Sequence, residues 1–325
     1  MRTRWILTLA AVAISSAAMV QAPRHLNPVV DLLSQKKAVF GLYAPANRRG
    51  RGGASPADAP PPKTPTQLAG DALAQSNADY IFDGTMEGDF DRGFASFTEF
   101  MKGMAAGGML KTSPMKVLHQ PLFVKTHEIA PDPALAMQRI ARQLNLGVTG
   151  IVLVDVKSAE EAKAGIAAMR FKSQGGTRPD DVGTAPSVWG MSESEYRQKA
   201  DVWPLNPNGE LVNFTIVESK EGLARVRDIA AVKGVGVLFP GAGTLSGLFG
   251  CRGNADPTTE GCVAWEKSIQ QVLAACKEFN VPCGYPANDS TMMVRRMKEG
   301  FTVFITAWGE NGFKAVEVGK RAGGR

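Results

Sequence analysis

The sequence predicts an α/β protein of the (β/α)8 barrel class, folded as a single domain. Eight short β-like runs alternate with helical patterns along the 325 residues. Most of these runs are continuously apolar, as strands buried on both faces of a parallel sheet are. Eight candidates, with no glycine fingerprint after the first, favour a closed barrel over a doubly wound sheet.

The chain begins MRTRWILTLAAVAISSAAMVQAP. Arg2 and Arg4 form a basic start, Trp5 to Val20 is an Ala-rich apolar stretch, and small residues follow. This is a secretory signal pattern, expected over residues 1–22 with the barrel in residues 23–325. Cleavage is expected after Ala22 or near Ala17 and Ala18. An exported protein, periplasmic or secreted, is the reading, and an uncleaved anchor is the lesser alternative.

The strand candidates, in order, are Ala38–Ala44, Asp79–Gly84, Gln120–Thr126, Thr149–Val156, Asn213–Glu218, Val235–Gly241, Val281–Tyr285 and Phe301–Ala307. Between them, Ser158 is the expected cap of the helix AEEAKAGIAAMRF, with Glu161 at the capping-box position. In EGLARVRDIAAV, Leu223, Val226, Ile229 and Ala230 form one stripe. CVAWEKSIQQVLAACKEFN is another helix, and DSTMMVRRMKEG ends at Gly300. Residues 47–66, rich in Pro, Gly and Arg, read as a flexible loop inserted over the barrel mouth. A second long connection, Lys172 to Gly209, carries a helix candidate, SESEYRQKA. The strand–helix rhythm resumes after both, so neither is a domain linker.

Composition narrows the function. Hydrophobic residues make up 44% of the chain, enough for a sizeable core. The net charge of +6 suits small anions. No basic run is interleaved with aromatics, so nucleic acid is not an expected partner. Cys251, Cys262, Cys276 and Cys283 form no CxxC and have no histidine nearby, which argues against zinc. An oxidising compartment allows a Cys251–Cys262 bridge, and four free thiols remain the alternative. GAGTLSG lies too late in the chain to be a dinucleotide turn. No GxSxG, P-loop or HExxH occurs.

Two stretches carry a resemblance: GVTGIVLVDVKSAEEAKAGIAAMRF (Gly147–Phe171) and IVESKEGLARVRDIAAVKGVGVLFPGAGTLS (Ile216–Ser246). They resemble the HpcH/HpaI aldolase and citrate-lyase-β-like family. The resemblance implies a barrel in which a divalent metal, Mg2+ or Mn2+, binds a 2-oxo acid and stabilises the enolate formed when a carbon–carbon bond breaks. It places the metal-binding glutamate at Glu218 and a second carboxylate at the position of Thr244. It places the family's glutamine at Ile216, its catalytic arginine at Lys125 and its proton-transferring histidine, within DGTM, at Met86. Three acceptors or donors near these positions are candidate replacements: His127, Glu87 and Asp155.

The expected function is therefore an aldolase-type carbon–carbon lyase acting on a 2-oxo or 2-hydroxy acid. Lys125, His127 and Asp83 are the expected catalytic residues, Gly241, Ala242, Gly243 and Thr244 the substrate-binding loop, and Glu218 the metal ligand. A Schiff base at Lys125 is a further route to aldol chemistry. The alternative is a non-catalytic exported barrel that binds a small organic acid. A small acid or aldehyde is the expected partner, and a homo-oligomer the expected assembly.

Overall fold

The computed structural model describes residues 25–47, 61–252 and 256–325. The expected signal segment and most of the inserted loop lie outside these residues. The loop's ends are tied together: Asn47 Nδ2 donates to Lys63 O at 2.8 Å, and Lys63 N–H donates to Asn47 Oδ1 at 2.8 Å. Its expected limit at Thr66 falls inside a helix, Pro65–Ala74. Thr64 caps that helix and Pro65 takes its first position, where a missing N–H costs nothing.

The fold is mixed α/β around a curled parallel sheet. Its strands are β1 (Val39–Tyr43), β2 (Tyr80–Asp83), β3 (Leu122–Lys125), β4 (Gly150–Leu153), β5 (Leu211–Val217), β6 (Val237–Pro240), β7 (Gly284–Pro286) and β8 (Val303–Thr306). Parallel ladders join β7 to β8, β8 to β1, and then β1 through β6 in order. Between β6 and β7 a single parallel bridge pairs Leu238 with Cys283. All eight expected strands are present within a few residues of their predicted limits. A two-residue strand, Val202–Trp203, adds to the start of β5, and a small hairpin pairs Leu110–Lys111 with Val117–Leu118. Each of these strands is two residues long, too short for a period to be read from sequence.

Two apolar clusters flank the sheet. The outer one lies between strands and helices. The inner one holds Tyr80, Phe82, Phe123, Phe214 and Phe239 with valines from five strands. Ring centroids run 4.9 Å from Tyr80 to Phe123, 4.5 Å on to Phe214 and 5.2 Å on to Phe239. Glycines make room for these rings. A methyl group at Gly41 would overlap Tyr80, one at Gly150 would overlap Phe123, and one at Gly284 would overlap Phe239.

The N-terminal end of the sheet is plugged by the helix Pro28–Ser34, whose Val29, Val30 and Leu33 join the inner cluster. Each such side chain, fully buried, contributes roughly 1.5–3 kcal/mol. Buried Asn27 caps the helix and is fixed by Glu210, which accepts from Asn27 N–H at 2.9 Å through Oε2 and from Nδ2 at 3.0 Å through its carbonyl. With the interior of the sheet filled at this end, its C-terminal strand ends are the side from which the interior faces a ligand.

Some local expectations change in detail. Ser158 caps its helix by accepting from Glu161 N–H at 3.2 Å. Glu161, however, accepts from Lys157 N–H, one residue before the cap, so the capping box is only half formed. EGLARVRDIAAV splits at Arg225 into helices Lys220–Ala224 and Val226–Ala230, with the predicted apolar stripe buried across both.

Candidate active site

Alternation along the strands decides which side chains reach the mouth. Lys125 lies two residues beyond inward-facing Phe123, Glu218 two beyond Ile216, and Gly241 two beyond Phe239. Tyr43 is the last residue of β1. These residues, with Ala242, Gly243 and Thr244, line a cavity of about 800 Å³ at the C-terminal strand ends. Its far wall carries Trp265, Glu266, Tyr285 and Arg295, from the helices and strand that follow.

Thr244 Oγ donates to Glu218 Oε2 at 2.6 Å. Gly241 permits this approach, because a methyl group there would overlap Glu218 Cβ and lie 2.5 Å from Oε2. Lys125 Nζ donates to both oxygens of Glu87, at 2.9 and 2.8 Å. Its stem passes Gly84, and Gln143 Nε2 donates to its carbonyl at 2.8 Å. Tyr43 packs edge-on against Phe82, with centroids 5.0 Å apart. Burial raises the Tyr43 pKa; Lys125 opposes this, and the charges of Glu87 and Glu218 add to it.

The other expected residues are placed differently. Asp83 ends β2 but does not line the cavity. Its Oδ1 accepts from Thr85 N–H at 2.9 Å and from Thr85 Oγ at 2.5 Å. Burial raises its pKa against the pull of those two hydrogen bonds. His127 lines an adjoining recess of about 300 Å³ with Glu87, Asp155, Arg139 and Glu218. Glu218 thus borders both spaces. Burial lowers the His127 pKa, with Arg139 adding to that and Glu87, Glu128 and Asp89 opposing it. Its Nε2 is buried without a partner among the described residues. Asp155 takes a left-handed φ of 43° and pairs with Lys157 at 2.9 Å. Strain at such a residue commonly marks a ligand-binding edge. Met86 is fully buried in the outer cluster, 3.6 Å from Gln143 Nε2, and carries no group able to move a proton.

The donor set does not fit a two-carboxylate metal site. A hard divalent cation needs several oxygen ligands, preferably anionic. Here Thr244 stands where a second carboxylate would, and its hydroxyl already holds one oxygen of Glu218, while Asp155 is paired with Lys157 and Glu87 with Lys125. No group of three His, Cys, Asp or Glu among the described residues is placed to hold a metal ion.

Cys251 and Cys262 both line the mouth and form a disulfide with Cα atoms 4.6 Å apart. A second disulfide joins Cys276 to Cys283, 5.6 Å apart, so none of the four thiols is free. Tyr43, missed in the sequence reading, could have been found there: it shares the inward parity of Val39 and Gly41. Glu266, Tyr285 and Arg295 carry no such signal, because a buried Arg296 orients two of them. Arg296 donates to Glu266 at 2.6 and 2.7 Å and to the Tyr285 hydroxyl at 3.3 Å.

A curled parallel sheet with an acidic and a basic side chain at its C-terminal strand ends defines an α/β protein built to hold a small polar ligand at its mouth. The chain belongs to the HpcH/HpaI aldolase/citrate lyase family, whose model matches residues 117–317. It is 28% identical over 179 residues to a 2-dehydro-3,6-dideoxy-6-sulfogluconate aldolase of Pseudomonas putida, covering 55% of this chain and 63% of that one. It is also 28% identical over 199 residues to a pyruvate aldolase of Rhizobium etli, covering 57% and 69%. The match thus leaves about a third of each relative unspanned. A family structure from Burkholderia cenocepacia superposes with a TM-score of 0.62 at 19% identity, over 86% of this chain and 92% of that one. One from Desulfitobacterium hafniense gives 0.59 at 16%, over 85% and 88%. These likenesses extend the fold beyond the region that the family model matches.

Proposed function

We propose that the protein is an aldolase-type carbon–carbon lyase that acts on a small 2-oxo acid at the mouth cavity. The observation that carries this reading is the convergence of Lys125, Glu218 and Tyr43 on one cavity. For a 4-hydroxy-2-oxo acid, the Glu218 carboxylate takes the proton of the C4 hydroxyl. The C3–C4 bond breaks, an aldehyde leaves, and the electron pair forms the enolate of pyruvate. The Lys125 ammonium faces the growing negative charge, and the Tyr43 hydroxyl protonates C3. A fixed donor at such a position is worth roughly 3–4 kcal/mol of barrier. A lysine donating to both oxygens of Glu87 is a poor nucleophile, so the reading does not pass through a Schiff base. It also does not require a metal at Glu218.

Purified protein is assayed for pyruvate release from a panel of 4-hydroxy-2-oxo acids, and for deuterium exchange into the methyl group of pyruvate. Lys125→Met is expected to abolish both, and Tyr43→Phe to lower kcat by roughly 10²-fold with little change in KM. EDTA is expected to leave both reactions unchanged. No release and no exchange with any acid in the panel would remove the lyase reading. The second reading, an exported binder of small organic acids, draws support from Met86 and Thr244, which replace a proton carrier and a charged ligand. A rise in melting temperature with small dicarboxylates, in the absence of turnover, selects it.

We also read the sheet as a closed (β/α)8 barrel in one domain. The Leu238–Cys283 bridge and the Leu238 N–H donated to Pro282 O at 3.0 Å support this closure. Two disulfides support an exported location, tested by cell fractionation. Exposed Leu248 and Val263, at 43% and 55%, support a homo-oligomer, tested by light scattering.

A further inference from the structure

A second cavity, of about 610 Å³, opens at the opposite end of the sheet, beside the residues that lead into β6, β7 and β8. Its floor is apolar, formed by Leu33 of the plugging helix with Trp203, Leu273 and Phe279. Phe279 is 37% exposed, a large ring left facing solvent. Four lysines, Lys36, Lys37, Lys233 and Lys277, also line the cavity, and no carboxylate does. None of the four forms an ion pair with a described residue, although ion pairs are common elsewhere on the surface. Lys277 Nζ donates only to Glu299 O at 2.8 Å, and Lys36 Nζ to Asn280 Oδ1 at 3.5 Å.

Lys36 itself adds a separate observation. Its φ of 55° is left-handed, a conformation that glycine adopts without strain and a long side chain does not. The chain keeps a cationic side chain there despite the strain. The volume is that of a pocket for an ordinary small molecule. An apolar floor under an uncompensated basic rim selects a ligand with both characters.

We propose that this cavity binds a small amphiphilic anion, with an aromatic or branched hydrocarbon body and one carboxylate, sulfonate or phosphate head. The body covers Trp203 and Phe279, and the head sits among the four ammonium groups. The site is separate from the mouth and does not depend on the lyase reading.

The test uses the full chain with 1-anilinonaphthalene-8-sulfonate, and N-phenyl-1-naphthylamine as its neutral counterpart. The sulfonate is expected to bind saturably at one site, at least tenfold tighter than the neutral probe, and to weaken as salt is raised. Lys233→Glu combined with Lys277→Glu is expected to weaken the sulfonate at least tenfold and leave the neutral probe unchanged. Both lysines are exposed, so these changes leave the core intact. Lys36→Gly is expected to raise the melting temperature while weakening the sulfonate, a combination that a purely structural lysine would not give. Equal affinity for the two probes, or indifference to the charge reversals, overturns the proposal. Displacement of the sulfonate by pyruvate overturns it too, because the probe would then occupy the mouth. Sedimentation of the wild type, but not the variant, with phosphatidylglycerol vesicles, without saturable sulfonate binding, overturns it in favour of a membrane surface.

Discussion

Replacing Thr244 by aspartate converts the mouth into a two-carboxylate site and tests why the present one does not fit a metal. The Thr244 hydroxyl donates to Glu218 Oε2 at 2.6 Å. Thr244→Asp removes that donor and sets two carboxylates side by side. Two like charges about 4 Å apart repel by about 1 kcal/mol in water and about 4 kcal/mol near a protein surface. Thr244 is exposed, so the lower figure applies, with about 1 kcal/mol more for the lost hydrogen bond. The metal-free variant is therefore expected to be less stable by about 2 kcal/mol. At an unfolding entropy of about 2 cal/mol/K per residue, a chain of this length loses roughly 3 °C of melting temperature. Magnesium reverses this. A site with a Kd near 0.1 mM gains about 2.7 kcal/mol at 10 mM Mg2+, or roughly 4 °C. The assay is thermal unfolding of wild type and variant with and without 10 mM Mg2+ or Mn2+, alongside titration calorimetry. The expected result is a metal-dependent rise in the variant only. An equal rise in the wild type would refute the reasoning, since Glu218 and Thr244 would then already hold the ion.

Four further outcomes follow from the same structure. The lowered folded pKa of His127 means that the unfolded chain binds the proton more readily, so stability falls as pH drops from about 6.5 through the folded value; His127→Gln is expected to flatten that acid limb of the melting profile. The raised folded pKa of Asp83 has the opposite sign, its burdened carboxylate being least favourable above its folded value, so Asp83→Asn should raise the melting temperature at pH 7 and lose the effect below the unfolded value near 3.8. Gly150→Ala drives a methyl group into the Phe123 ring and should destabilise the fold by about 1–3 kcal/mol or more, read by denaturant unfolding. Cys251→Ser with Cys262→Ser opens a loop of sequence separation 11 and should cost about 3 kcal/mol, read by denaturant unfolding without reductant.

Much of the architecture was legible along the chain because it rests on local signals. Continuous apolar runs identify strands buried on both faces, and all eight form. Signals such as the Ser158 cap and the Gly300 stop act on neighbours within a turn, so their roles follow from spacing. The placement of Lys125 and Glu218 at strand ends followed from the same periodicity. Asp83 shows where that reasoning stops: it also ends a strand, but it follows inward-facing Phe82 by one residue and not two, so its carboxylate turns to Thr85 and away from the cavity.

Strand–helix order, family membership and the residue types at the strand tips are all written along the chain. What those residues meet is settled by the fold in three dimensions. Glu87 and Lys125 are 38 positions apart and pair at the mouth; Glu218 and Thr244 are 26 apart, and the Thr244 hydroxyl donates to the Glu218 carboxylate. Asn27 meets Glu210 across 183 positions, which seats a seven-residue helix too short to announce itself. The lysines of the second cavity come from three separate segments, around Lys36 and Lys37, Lys233 and Lys277, that no local pattern connects. Periodicity is a property of neighbours along the chain, whereas a site is made by side chains that only the curling of the sheet brings within a few ångströms of one another.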